Sequence, residues 1–150
     1  MTELAPPYSK EQVVRIFTKQ NLPEKFIQLV VGRLDPEPVR FSPGEKLMMQ
    51  GAPGDAMFFI AWGHVEVSTK LFGSGSPFSA NKVAELTVGD VVGEMALVND
   101  APRSATVTAL DEVMVYRLSR DNWRHVDAFY PGLAYRVREV VKTRTNLPLR

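Results

Sequence analysis

The chain of 150 residues carries 18 Lys+Arg against 17 Asp+Glu, a formal net charge of +1, with 45% hydrophobic and 23% charged residues. This is the length and composition of one globular domain able to bury a single core, and the charge balance excludes both a strongly basic nucleic-acid coat and an acidic disordered tail. Cysteine is absent, so no disulfide framework, thiolate zinc site or thiol nucleophile is available, which fits a cytoplasmic protein. The opening Met1-Thr-Glu-Leu-Ala-Pro-Pro lacks the basic and apolar regions of a signal peptide. The longest apolar uncharged stretch, Ala56–Val65, falls well short of the roughly 20 residues of a membrane span. The expectation is a soluble, non-secreted single domain.

In chain order, residues 1–8 read as a lead-in, and Ser9 with Gln12 offers a capping box for a first helix reaching Asn21. A second helix is predicted from Pro23, with Phe26, Val30 and Leu34 repeating every four residues, and Asp35-Pro-Glu-Pro ends it. From Val39 the period changes to short strands: 39–41, 46–49, 57–61, 64–69, 83–86, 104–109 and 112–118. Pro43-Gly44, Gly51-Ala-Pro-Gly54, Gly63 and Gly89 punctuate them, the pace of an antiparallel sandwich or barrel. Residues 71–82 (LFGSGSPFSANK) predict a long, mobile hairpin loop. Ser119 is the predicted N-cap of a helix with Trp123, Val126 and Phe129 on one face. After Pro131-Gly132, Leu133, Val137 and Val140/Val141 mark a last helix towards Asn146. Helices, many strands, then helices make an α+β arrangement.

The segment with chemistry in it is 89–109, GDVVGEMALVNDAPRSATVTA. Gly93-Glu94-Met95-Ala96-Leu97, between strands, predicts a single helical turn whose backbone N–H groups are open to an anion. Glu94 is an acceptor-only group suited to a sugar hydroxyl pair. The turn Asn99-Asp100-Ala101-Pro102 brings back Arg103, whose planar fork matches two phosphate oxygens. Ser104 adds a hydroxyl and Ala105 leaves room for close approach. A carboxylate and a guanidinium nine residues apart across a turn describe a receptor for a sugar phosphate. The same spacing also suits an exposed ion pair, worth about 0–1 kcal/mol.

Gly93–Leu97 followed by Pro102-Arg103-Ser104-Ala105-Thr106 resembles the phosphate-binding cassette of cyclic-nucleotide-binding domains, the family of protein kinase A regulatory subunits, cyclic-nucleotide-gated channels and the bacterial catabolite activator. Upstream, Pro43-Gly44-Glu45, Gly51-Ala-Pro-Gly54-Asp55, Met57–Ile60 and Gly63–Val67 are similar to the family's strand-and-glycine pattern. The resemblance runs from about Val39 to Leu118. It implies an antiparallel eight-stranded β-roll, a jelly-roll-like double-stranded β-helix, flanked by N- and C-terminal helices. Its parts would be a lead-in with helices (1–38), the roll (39–118) with the cassette at 93–106, and hinge and lid helices (119–150). It also implies a cAMP or cGMP ligand: Glu94 on the ribose 2′-OH, Arg103 on the cyclic phosphate, and backbone N–H groups around Ala96, Leu97 and Ser104 on the other phosphate oxygens. Val92 stands at a core position where many members have Phe. Residue 104 is where Thr accompanies cGMP preference and Ala cAMP preference in the kinases; Ser104 is intermediate, with a lean to cAMP. Counting along the C-terminal helices, Arg138 is the residue expected at the base, near Val137, Val141 and Arg144; a solvated helix charge is its other reading. Occupancy would be signalled by movement of the last helix over the base, to a protein effector or to another domain of a parent chain.

The bases Arg136, Arg138, Lys142, Arg144 and Arg150, with Glu139, read as a solvated helix face. About 30 residues follow Ser119, too few for a helix-turn-helix after two lid helices, so direct DNA binding is not expected. His64 falls in a strand pattern and His125 in a helix, with no spacing that unites them on a metal. No catalytic residue, cofactor or metal is expected. Two other readings stay open: a protein-interaction scaffold on the same fold that binds no ligand, and a receptor for another nucleoside or nucleotide.

Overall fold

In the computed structural model the described residues are 23–70, 81–93 and 102–145, with side chains described through residue 140. Helix α1 (Glu24–Leu29) starts directly after Pro23 and widens into a π-helical segment, Val30–Leu34. The Asp35 N–H closes that segment on the Val30 carbonyl at 3.0 Å, and Asp35 itself is left-handed, φ 47°, a conformation a short polar side chain tolerates. Pro36 and Pro38 then forbid further helix. The helix predicted from Ser9 to Asn21 lies outside the described residues.

Eight strands follow: β1 (Glu37–Phe41), β2 (Lys46–Met48), β3 (Ala56–Trp62), β4 (Val65–Thr69), β5 (Asn81–Leu86), β6 (Val91–Val92), β7 (Thr106–Ala109) and β8 (Val113–Ser119). They form two four-stranded sheets, ordered β1-β8-β3-β6 and β2-β7-β4-β5, with antiparallel pairing throughout. The expected β-roll is therefore present. The predicted hairpin loop is shortened: Asn81 and Lys82 belong to β5, while residues 71–80 lie outside the described set. Strand β7 begins at Thr106 rather than Ser104, and His64 sits in the β3–β4 turn rather than in a strand.

The core has two layers that share β3 and β8. Met57, Phe59 and Ala61 of β3 and Met114, Tyr116 and Leu118 of β8 face the helices. Ala56, Phe58 and Ile60, with Val113 and Val115, fill the inside of the roll against Val65 and Val107. A strand buried on both faces carries a continuous apolar run, hence Ala-Met-Phe-Phe-Ile-Ala in β3. Each large side chain so enclosed contributes about 1.5–3 kcal/mol. The two-residue β6 makes the same division, Val91 to the helices and Val92 to the roll.

The β3–β4 and β7–β8 turns are tied together by Asp111, which accepts from the His64 backbone N–H at 2.8 Å and faces His64 Nδ1 at 2.7 Å. Partial burial pushes the Asp111 carboxyl up, but the contacts from His64 outweigh it and hold the group below the ordinary carboxylate range.

Helix α2 (Arg120–Phe129) opens on the predicted cap. Asn122 N–H donates to Ser119 Oγ at 3.2 Å, and the Ser119 N–H donates to Asn122 Oδ1 at 3.2 Å. Trp123 and Val126 are buried, but Phe129 is 70% exposed, against the expectation of one shared face. Steps of three residues drift around a 3.6-residue helix, so the third member leaves the stripe. Tyr130, seven residues after Trp123, packs on the core instead. Helix α3 (Pro131–Thr145) starts at Pro131 itself, proline being welcome in a first turn. It buries Ala134 and Val137 on the core.

Candidate functional site

Arg103 turns inward. Its side chain is the buried charged group among the described residues, 4% exposed. Its backbone N–H donates to Ala52 O at 2.8 Å and its carbonyl accepts from Gly51 N–H at 2.9 Å, while Pro53 and Pro102 form a bridge. The glycine-rich loop before β3 thus clamps the segment that delivers the arginine to β7. From there the guanidinium runs over the Phe58 ring, 5.9 Å from its centroid, and Nη1 donates to the Gly93 carbonyl at 3.1 Å. Nη2 makes a longer contact, 3.5 Å, with Oδ1 of Asp55, whose side chain is 73% exposed.

Gly93 is fitted to this arrangement. It ends β6 with φ 84°, and a Cβ there would stand 2.6 Å from Arg103 Nη1 and 3.0 Å from the Ala56 carbonyl. Only glycine combines that dihedral with that approach. A buried cation is costly unless paired, and here it lies at the end of the strand that leads into the predicted anion-binding turn.

The other predicted residues divide. Val92 is buried in the roll, the core position expected of it; Ala105, expected to leave room for a ligand's close approach, is buried in the same cluster, and Ser104 is exposed next to Arg103. Glu94, Met95, Ala96 and Leu97 lie outside the described residues, as does the turn at 99–101. Arg138, on α3, donates from Nη2 to Asp127 Oδ1 at 2.6 Å, with its guanidinium 5.4 Å from the Trp123 ring centroid. In this structure it is therefore bound to α2, while Val137 beside it belongs to the helical core. Val141 and Arg144 have no described side chains.

Sequence reasoning read Gly54 and Asp55 as part of the strand-and-glycine pattern but gave them no place in the site, and the dipeptide touches it. The Asp55 carboxylate reaches Arg103 and also Arg117 Nη2, at 3.5 Å each, and its backbone carbonyl accepts from the Arg120 N–H at 2.9 Å. The Arg120 side chain donates to the Gly54 carbonyl. One dipeptide thus touches both the buried arginine and the first turn of α2. The Gly51–Asp55 run was visible in the sequence, but only three-dimensional closure of the roll puts it beside position 103.

The cyclic nucleotide-binding domain family matches residues 38–127 of this chain. The chain belongs to that family. It is a cyclic nucleotide-binding domain, and the segment from Gly93 through Arg103 lies within the matched span. It is 37% identical over 90 residues to a cAMP-dependent protein kinase regulatory subunit of Dictyostelium discoideum, covering 60% of this chain and 27% of that protein. It is 33% identical over 105 residues to a cyclic nucleotide-gated potassium channel of Rhizobium etli, covering 70% of this chain and 27% of the channel. The chain thus spans little more than a quarter of either curated relative. Among solved structures, a cyclic nucleotide-binding domain from Methylobacillus flagellatus superposes with a TM-score of 0.71 at 23% identity, over 91% of this chain and 78% of that one. This likeness bears on the fold. No described helix is long and apolar enough to cross a membrane.

Proposed function

We propose that this domain takes up a 3′,5′-cyclic nucleotide, cAMP in preference to cGMP, with Arg103 as the ligand of the cyclic phosphate. Glu94 then holds the ribose 2′-OH, and the backbone N–H groups around Ala96, Leu97 and Ser104 complete the phosphate's coordination. The observation that carries this reading is the burial of Arg103, 4% exposed, with its guanidinium packed against Gly93. A buried arginine is compensated well by an anion that its planar fork can grip and that also takes hydrogen bonds from neighbouring backbone donors. The names of two relatives, a kinase regulatory subunit and a gated channel, support a sensor that reports to an effector or to another domain of a parent chain. The roll and its cassette receive the ligand, and the helices from 119 onward transmit.

A route for the signal is built around Gly54-Asp55. A phosphate that draws on Arg103 competes with the Asp55 carboxylate, and Asp55 also holds the start of α2 through its carbonyl. Ligand and α2 therefore bias the same loop, within the limit set by the ligand's different affinity for its two positions. For Arg138 to meet a purine it must exchange Asp127 and Trp123 for the base, a cation–π contact for a stacked one.

Titration calorimetry with cAMP tests the assignment. Arg103→Ala leaves the bound phosphate underpaired, costing about 2–5 kcal/mol and raising Kd by at least about tenfold. A folded Arg103→Ala protein with the wild-type affinity rejects the role.

A further inference from the structure

One feature not used by the nucleotide reading is a groove of about 630 Å³ between α1 and α3. Its floor is apolar, made by the half-buried Leu29 and Leu133 and by Tyr130; its rim carries three cations, Lys25, Arg33 and Arg136. All three are exposed, and none forms an ion pair with a described residue, although ion pairs hold Lys82, Arg103, Arg117, Arg124 and Arg138. The apolar surface continues past the groove. The His125 ring lies 6.2 Å from that of Tyr130 and 4.7 Å from that of Phe129, which is 70% exposed. An exposed Phe, a Tyr and arginines around aliphatic side chains have the composition of an interface core rather than of a solvated face.

We infer that this groove docks an amphipathic helix of a partner protein, with its apolar stripe on Leu29 and Leu133 and acidic side chains against Lys25, Arg33 and Arg136. The charge complementarity selects the occupant: an apolar helix alone leaves the three cations unanswered, and an anion without an apolar face leaves the floor wet. A second copy of this chain is a poor occupant, because a two-fold contact sets the same three cations against one another. Helix-in-groove recognition of this kind takes anchors at i, i+3 or i+4, and i+7. The site shares no residue with the surroundings of Arg103, so it stands whether or not the nucleotide assignment does. Since α1 and α3 form its two walls, a partner bound there also senses the position of α3.

Nuclear magnetic resonance of the 15N-labelled full chain tests the proposal. The probe is an amphipathic peptide of about 16 residues, long enough to hold a helix when bound, with leucines at that spacing flanked by glutamates. A second peptide carries lysines instead. The glutamate peptide is expected to shift the Gly132 and Leu133 amides, to bind more weakly as salt is raised, and to lose at least about fivefold in affinity to the triple variant Lys25→Glu, Arg33→Glu, Arg136→Glu. Arg136→Glu alone gives a smaller loss in the same direction, and Lys46→Glu on distant β2 gives none. Thermal melts of the variants confirm their fold. The proposal is overturned if no amide of the groove moves at millimolar peptide, if the lysine peptide binds equally well, or if sedimentation shows a dimer that Arg136→Glu dissolves. It is equally overturned if a spin label on Thr18→Cys broadens Leu133 in the absence of peptide, which would assign the groove to this chain's own N-terminal segment.

Discussion

Gly93 and Arg103 occupy each other's space. With φ at 84° and the guanidinium 2.6 Å from where a Cβ would stand, Gly93→Ala meets two penalties: a left-handed alanine and a displaced arginine. The first costs about 1–3 kcal/mol of stability; the second moves Arg103 Nη1 from the Gly93 carbonyl. The expected outcome is a folded protein with a lower melting temperature and a Kd for cAMP raised at least about tenfold, a larger loss than the exposed Ser104→Ala produces. Calorimetry and thermal melts on the two variants measure the difference. Unchanged affinity in Gly93→Ala would separate this glycine from the site. At this scale an inward-turned Arg103 was legible in the sequence, from its residue type and the preceding turn, and the structure buries it. Its burial partners were not, because Asp55 and Phe58 lie more than forty positions upstream and meet it only when the roll closes.

Elements were legible in proportion to their length and period. The Ser119 cap, the glycine-bounded strands and the stop at Asp35 follow from local chemistry, and each is present. β6 escaped because two residues cannot display a period, and Phe129 was misassigned because a three-residue step drifts off a helical stripe. His64 fits a strand by its neighbours, yet Asp111 captures its backbone N–H and its ring, making it the hinge-pin of two turns. This contact predicts a pH dependence. The Asp111 carboxyl lies below its ordinary value in the folded state, so its contribution to stability is full above about pH 4, the unfolded value, and fades as acid protonates the folded form. Asp111→Asn is expected to lower the urea midpoint at neutral pH and to flatten its decline below about pH 4 relative to wild type. Parallel acid limbs for the two proteins would show that His64 does not hold that carboxylate.

Across the described residues, two apolar layers share one sheet, and that sharing connects the interior of the roll to the helices. Phe58 faces the roll under Arg103 while its neighbours Met57 and Phe59 face α1, α2 and α3, so a shift of β3 is felt on both sides. Gly54-Asp55, immediately before β3, adds a polar link from Arg103 to the start of α2. The α+β order of helices, strands and helices was readable from the change of period at Val39, and the family from two spaced motifs. What could not be read is the groove that the described residues of α1 and α3 line, because that depends on how the two helices diverge. The central claim is that this roll holds a cyclic phosphodiester on Arg103. Thermal unfolding of the full chain with cAMP, cGMP, AMP and adenosine in turn tests it most directly. At a hundredfold excess over Kd the true ligand adds about 2.7 kcal/mol to stability; cAMP is predicted to give the largest upward shift, adenosine none, and Arg103→Ala to cut the response to about half or less. No shift with either cyclic nucleotide, or an equal shift with adenosine, would contradict the account.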